Sequence, residues 1–401
     1  MTLKPTHISF SLFLLFLLFF GCANKEKKDP IAERIAESPY PMMHPSVVKY
    51  PALESNYLYK KRCTVENFCN KYWKSEANNF SFLVAKNGQI IYERYQGLAD
   101  REKKIPITKE TPMHIASVSK VLTATAVMLL VERKKIDLDQ KVNTILDNFP
   151  YPKITVRHLL SHRSGLRNYA YFTEDKGVWD RHKTITNQDV LNLFATKNIK
   201  LESPTDSRFA YCNTNYAMLA LIIEKATGMK YGDAMQEMIF KPLRMTHTFV
   251  FDYERDRKTA TPSYKASNMK LALDYLDAVY GDKNIYSTPR DMLQFDLARN
   301  APTFLTPELK QQIYTGYSNE RKGEKNYGLG IRMINWSSGQ NFYFHNGWWH
   351  GNTSSYIPLM NENVTIIALS NKFNRNTYAV RILAPVFGDY PFKLEKGDIF
   401  E

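Results

Sequence analysis

The 401-residue chain predicts an α+β fold: one antiparallel sheet flanked by helices, with an all-helical subdomain over about residues 140–280. Three observations predict it. Residues 80–85 and 90–95 are apolar runs joined through Lys86-Asn87-Gly88, and Asn-Gly is the strongest short hairpin signal because both residues tolerate positive φ. Residues 327–334, 342–345, 354–358 and 364–370 are further short apolar runs punctuated by Gly or Asn, so strands lie at both ends of the body. Between them the apolar spacing becomes helical, and joining both strand sets into one sheet is the economical arrangement.

Composition supports a folded body. Hydrophobic residues make up 44% and aromatics 13%, which argues against a disordered chain. The net charge of +14 comes with no zinc-finger spacing, basic helix or basic–aromatic pattern. It reads as a solvated basic face, and no nucleic-acid partner is expected. Cys63 and Cys69 are near enough in sequence for a small disulfide loop in an oxidising compartment. Two unpaired thiols on a helical segment is the competing reading.

Lys4 precedes an apolar run over residues 8–20, followed by Gly21 and Cys22. That length suits the core of a signal peptide and is too short to span a bilayer comfortably. A small residue before a cysteine, followed by Asn24-Lys25-Glu26-Lys27-Lys28, resembles a bacterial lipoprotein signal. In that family the cysteine becomes the lipidated first residue of the mature chain. The expectation is an exported, membrane-anchored protein: signal peptide 1–21, lipid on Cys22, and a charged, proline-bearing tether over 22–45.

Residues 46–78 set Tyr57, Tyr59, Phe68, Tyr72 and Trp73 among charges and read as a helical arm, before a body over 79–401. Gly97 closes the first hairpin, and a polar loop through Pro106 and Pro112 leads to Met113-His114-Ile115-Ala116 and Ser117-Val118-Ser119-Lys120. Val121, Leu122, Ala124, Ala126, Val127, Leu129 and Leu130 follow at spacings that make a helix apolar on most sides, hence buried. Residues 154–160 start a short helix that runs into Ser161-His162-Arg163-Ser164-Gly165-Leu166, where Gly165 turns the chain. His158 and His162 have metal-ligand spacing, yet no Glu stands beside His158 and no third ligand is visible. No metal site is predicted. Residues 218–224 and 231–240 are helical, a further helix starts at Asp291, and a last one covers 377–386.

The chemistry gathers at Ser117 and Lys120. Three residues apart on a helix, hydroxyl and amine share a face. A helix start favours an oxyanion, and a buried amine there can take the hydroxyl proton and leave a nucleophile. Ser-x-x-Lys alone is a weak signal, because it recurs at Ser46–Lys49 and Ser267–Lys270. Tyr-x-Asn occurs at Tyr211–Asn213 and at Tyr317–Asn319, and His-x-Gly at His345-Asn346-Gly347.

Taken in order, Ser-x-x-Lys, Tyr-x-Asn and His-x-Gly resemble the serine β-lactamase and penicillin-binding-protein superfamily. The tyrosine and histidine forms are those of its class C β-lactamase-like branch, which includes esterases and D-amino-acid peptidases; class A enzymes carry Ser-Asp-Asn and Lys-Thr-Gly instead. His158-Leu159-Leu160-Ser161-His162-Arg163-Ser164-Gly165-Leu166, Asn213-Thr214-Asn215-Tyr216 and Ile285-Tyr286-Ser287-Thr288 also look like that branch. The likeness runs over roughly residues 80–390.

The resemblance implies a five-stranded-type sheet of the β-lactamase/transpeptidase kind and a serine hydrolase that needs no cofactor. Ser117 would be the nucleophile, Lys120 its base, and Tyr211 a partner that returns the proton to the leaving group. A phenol ordinarily titrates near about 10, so Tyr211 needs a neighbouring cation, for which Lys120 is the candidate. Asn213 would hold the substrate's amide or ester side chain, and Gly347 would let substrate lie against its strand. The backbone N–H groups of Ser117 and Trp348 would form the oxyanion hole. His345 stands where relatives with lysine assist a substrate carboxylate; a mostly neutral imidazole weakens that help and favours an esterase or peptidase. The expected substrate is a small ester, a D-amino-acid peptide or a peptidoglycan-derived molecule. A binding protein without turnover and a true β-lactamase are the alternatives.

Overall fold

The computed structural model describes residues 1–2, 49–301, 304–320 and 323–393. Beyond Met1 and Thr2, the expected signal peptide, the tether and Cys22 lie outside the described residues.

A seven-stranded antiparallel sheet organises the body. Its strands are β1 (Phe80–Lys86), β2 (Gln89–Gln96), β3 (Lys325–Tyr327), β4 (Arg332–Asn335), β5 (Asn341–Trp349), β6 (Asn352–Leu359) and β7 (Val364–Ser370). They lie in the order β2-β1-β7-β6-β5-β4-β3, so the two ends of the chain meet where Leu83 pairs with Ile367. Asn87 (φ 52) and Gly88 (φ 74) close the first hairpin with both residues left-handed, as a tight hairpin turn requires. The run expected as one strand over 327–334 is two. Between β3 and β4 the chain turns at Gly330 (φ +87), where an added Cβ would lie 2.4 Å from Ala124 Cβ. That turn packs on the central helix, and the five-stranded type widens to seven.

Alternating side chains divide the sheet between two cores. Leu83 and Ala85 join the core shared with the helices, whereas Phe80, Phe82 and Val84 face a second core on the back. Helix α1 (Ser55–Tyr72), Trp73 and the segment Arg375–Val386 cover that back face. Trp73 stacks on Phe80 with ring centroids 4.6 Å apart. The aromatic arm is therefore part of the fold. The last segment winds as 3-10 rather than α-helix, with Pro385 lacking the N–H that an α-helix would use.

Cys63 and Cys69 do not pair; both are free. Six residues apart on one α-helix, they sit about 9 Å apart along the axis, beyond disulfide reach. Cys69 lies in the back core, and burial pushes its thiol up to about 12.

On the other face runs α2 (Ser119–Glu132), buried from Ser119 to Leu130 as its all-round apolar spacing predicts. Helices α3 (Val156–Leu160), α4 (Asn187–Thr196) and α5 (Asn213–Thr227) follow, α5 ending on Gly228 at φ 70. A small second sheet pairs Met113–His114 with Ile285–Ser287, and Ile285–Ser287 with Phe249–Val250. It ties the segment before Ser117 to the segment before α6 (Pro289–Asn300).

Candidate active site

Ser117 sits in a single 3-10 turn, Ala116–Val118, that feeds α2. Ala116 has φ 49, a left-handed conformation unfavourable for a residue with a side chain. Its neighbours hold it there. Ala116 N–H donates to His114 Nδ1 at 3.0 Å, Ile115 N–H donates to Ile285 O at 2.9 Å, and the Ser354 hydroxyl donates to Ile115 O at 2.5 Å. Strand β5 closes against the same turn: a Cβ on Gly347 would lie 2.3 Å from Ser354 Oγ and 2.6 Å from Ile115 O. The space its missing side chain frees is filled by the turn that carries Ser117.

One helical turn on, Lys120 Nζ lies 3.1 Å from Ser117 Oγ and donates to Asp282 O at 2.7 Å. Lys120 is fully buried, and no carboxylate pairs with it among the described residues. Its remaining neighbours are rings, with Nζ 5.1 Å from the Tyr211 centroid and 5.7 Å from the Tyr216 centroid. The structure thus gathers Ser117, Lys120 and Tyr211, with the amine over the Tyr211 ring. Asn213 opens α5, and its Oδ1 is buried without a hydrogen-bond partner among the described residues. Trp348 follows Gly347 on β5, the strand that closes against the Ser117 turn, and is 62% exposed.

Of the competing motif copies, Ser46 lies outside the described residues, and the others lie away from this site. Ser267 and Lys270 are exposed, with Lys270 paired to Glu102 at 2.6 Å. Asn319 bonds Asn326, and the Tyr317 hydroxyl donates to Gln312 O.

His345, expected to face substrate, is fully buried and turned inward. Its Nδ1 lies 2.9 Å from Asn346 O and its Nε2 3.2 Å from Tyr327 Oη, which assigns the proton to Nδ1 and leaves Nε2 accepting from the phenol. Both nitrogens are used up inside the protein, so the ring presents none to a substrate. Burial, helped by Arg332 and Lys120, holds this imidazole well below its ordinary value and therefore neutral.

Two residues given no role at the site from the sequence complete it. His162, at φ 58, turns out of the end of α3 and packs on Tyr211 with ring centroids 4.3 Å apart. Its Nδ1 accepts from Cys212 N–H at 3.2 Å, and its carbonyl accepts from Ala210 N–H at 2.9 Å, so it shapes the loop that presents Tyr211 and Asn213. His158 instead faces Asp206, 3.9 Å away. Arg332, at the start of β4, places its guanidinium carbon 4.7 Å from the Tyr211 centroid and 5.9 Å from that of Tyr327. It is half-buried and has no carboxylate partner among the described residues. A lone arginine in a short strand has no sequence signal of its own.

Among the described residues, Asp274, Asp277 and His350 bring potential metal ligand atoms within 4.8 Å of one another. Asp277 already accepts from Trp349 Nε1 at 2.6 Å and sits 2.9 Å from His350 Nε2, so the group reads as a hydrogen-bonded pair.

The family model described as Beta-lactamase matches residues 67–384. The chain belongs to the beta-lactamase family. A penicillin-binding protein of Bacillus subtilis (strain 168) is 30% identical over 324 residues, covering 76% of this chain and 70% of the relative. The teichoic acid D-alanine hydrolase of Staphylococcus aureus is 29% identical over 227 residues, 56% of this chain and 54% of that protein. The crystal structure of a penicillin binding protein from Bacillus halodurans matches with a TM-score of 0.69 at 23% identity, over 81% of this chain and 99% of that one. The large antiparallel sheet flanked by helices is thus the β-lactamase-type fold, with Ser117 at the start of its buried helix.

Three neutral imidazoles buried around this β-lactamase-type site make its stability acid-sensitive. Burial pushes His114 down to about 4 and holds His162 and His345 well below their ordinary value. As pH falls through about 6.5 the unfolded chain takes up protons that the folded chain refuses, so stability is lost below that point. The urea midpoint is expected to be lower at pH 5 than at pH 7, with about 2 kcal/mol from His114 alone and a shallower dependence in His114→Gln. A midpoint unchanged over this range would rule out the neutral assignment.

Proposed function

We propose that this chain is an exported serine hydrolase that forms an acyl ester on Ser117 and cleaves amides or esters of D-amino acids. One observation carries the reading: the Lys120 amine stands 3.1 Å from Ser117 Oγ while the Asp282 carbonyl fixes it from behind. As a free amine, Lys120 keeps its bond to Asp282 O and turns its lone pair toward the Ser117 hydroxyl, which is the geometry of a general base. Ser117 Oγ then bonds the acyl carbon, its proton passes to Lys120, and the oxyanion meets the N–H groups of Ser117 and Trp348. Loss of one such donor typically raises the barrier by ~2.7–4 kcal/mol. Collapse breaks the bond to the leaving group, which takes the proton from Lys120 through the Tyr211 hydroxyl. Water repeats the sequence on the acyl ester. The unpaired Asn213 Oδ1 supports an acceptor role toward a substrate N–H.

Arg332 refines the substrate class. The inward-facing, neutral His345 offers a substrate carboxylate no cation, whereas Arg332 is a half-buried guanidinium against Tyr211 with no carboxylate partner among the described residues. This supports substrates that carry an anion, such as a D-alanyl peptide, and restores acylation by β-lactams as a second reading. The relative named for teichoic acid D-alanine hydrolysis supports a D-alanyl acyl group. The apolar run over 8–20 and Cys22 support export and a lipid anchor.

A fluorophosphonate or β-lactam probe is expected to add its mass to the intact protein and to leave Ser117→Ala unlabelled. Absence of labelling by every acylating probe on folded protein would sink the nucleophile assignment. Arg332→Ala should raise KM for a D-Ala-D-Ala peptide roughly 10–100-fold and leave its C-terminal amide analogue nearly unaffected; equal losses on both would remove the carboxylate role. Cys22→Ser should shift the expressed protein from the membrane to the soluble fraction, and retention of the variant at the membrane would refute the lipid anchor.

A further inference from the structure

Two charged side chains beside the site have no part in the acylation steps. Asp282 and Lys283 are 1% and 2% exposed, a depth at which ionised side chains rarely occur without a partner. Lys283 Nζ lies 3.8 Å from Asp282 Oδ1 and donates to Tyr169 Oη at 2.6 Å and to Val279 O at 2.9 Å. The Tyr169 hydroxyl in turn donates to Asp282 Oδ2 at 3.0 Å. Tyr169 keeps its proton for that bond, because burial and Asp282 push its phenol well above the ordinary value. Asp282 Oδ1 has no hydrogen bond, so the Coulomb attraction of Lys283 is its compensation.

The same aspartate touches the catalytic lysine. Its backbone carbonyl receives Lys120 Nζ at 2.7 Å, so one residue is bracketed by two amines, one on its carbonyl and one on its carboxylate. The loop that carries it is pinned on both sides. Thr123 Oγ1 donates to Gly281 O at 2.7 Å, and Asn284 Nδ2 donates to Asp277 O and Val279 O. Apolar residues of similar volume often replace a buried ion pair without loss of stability, so such a pair invites an account beyond packing. Its charge supplies one. An isolated Asp282 anion would hold Lys120 as an ammonium, and an isolated Lys283 cation would repel it.

We propose, resting on the hydrolase reading above, that Asp282 and Lys283 are positioning residues for Lys120. Together they fix the amine through the Asp282 carbonyl and keep its surroundings neutral, so that it can give up and take back a proton. The other groups facing Lys120 are the Tyr211 and Tyr216 rings and the neutral His162 and His345, with the Arg332 guanidinium on the Tyr211 ring, while Asp277 and Asp274 face Lys283. None of these changes in the variants below.

The test uses the full chain and p-nitrophenyl acetate, with kcat/KM followed against pH. Lys283→Met leaves an uncompensated anion, and its acid limb is expected to move up by about one pH unit or more. Asp282→Asn keeps the backbone carbonyl, removes the carboxylate that offsets the Lys283 charge most, and should move the limb down. The double variant should return toward wild type, and Lys283→Arg should stay there. A lowered plateau with an unmoved limb, or single variants that shift the same way, would overturn the proposal. If Lys283→Met does not fold, the downward shift in Asp282→Asn still decides. Failure of the underlying hydrolase reading looks different: Ser117→Ala would then turn over the ester as fast as wild type.

Discussion

The rest of the site depends on how closely β5 is pressed against the turn before α2. Gly347 leaves no room for even a methyl group between Ser354 and the Ile115 carbonyl, and Ala116 is held in a backbone conformation it would not adopt alone. Such strain persists only where the surroundings over-determine it. Here the constraint comes from far-apart segments: β6 through Ser354, the 285–287 strand through Ile285, and His114 from the chain's own preceding strand. The turn is thus braced by the large sheet through Ser354 and by the small sheet through Ile285 and His114.

The second feature is the management of charge in a dry place. Lys120 is buried against two aromatic rings and one carbonyl, and the nearest buried carboxylate carries its own lysine. The histidines nearby are kept neutral by burial, with Arg332 and Lys120 adding to the effect at His162 and His345. Protons at this site consequently have few groups to reside on. Arg332 is the exception, a constant cation with aromatic neighbours and no internal anion among the described residues.

Much of this was legible in the sequence because it rests on local rules. The Asn87-Gly88 turn follows from positive φ at two adjacent residues, and the burial of α2 from apolar spacing on all sides. The three motifs in order were enough to select Ser117 over Ser267 and Tyr211 over Tyr317. Other features depend on where side chains end up. Nothing local distinguishes Arg332 from a surface arginine, and His162 looks like a metal-spaced partner of His158 until the turn at φ 58 sends it toward Tyr211.

By itself the sequence determined the fold class, the family resemblance and the identity of the Ser117–Lys120 pair, since helical periodicity and motif order are properties of neighbouring residues. Only the tertiary structure decided the rest. It made Gly347 a contact for the nucleophile turn, turned His345 inward, separated Cys63 from Cys69 along one helix, and set Asp282 between two lysines. For Gly347 and Asp282 the physical reason is the same. Close approach, burial and charge compensation arise between segments a hundred or more residues apart, as between Lys120 and Asp282 or Ile115 and Ser354.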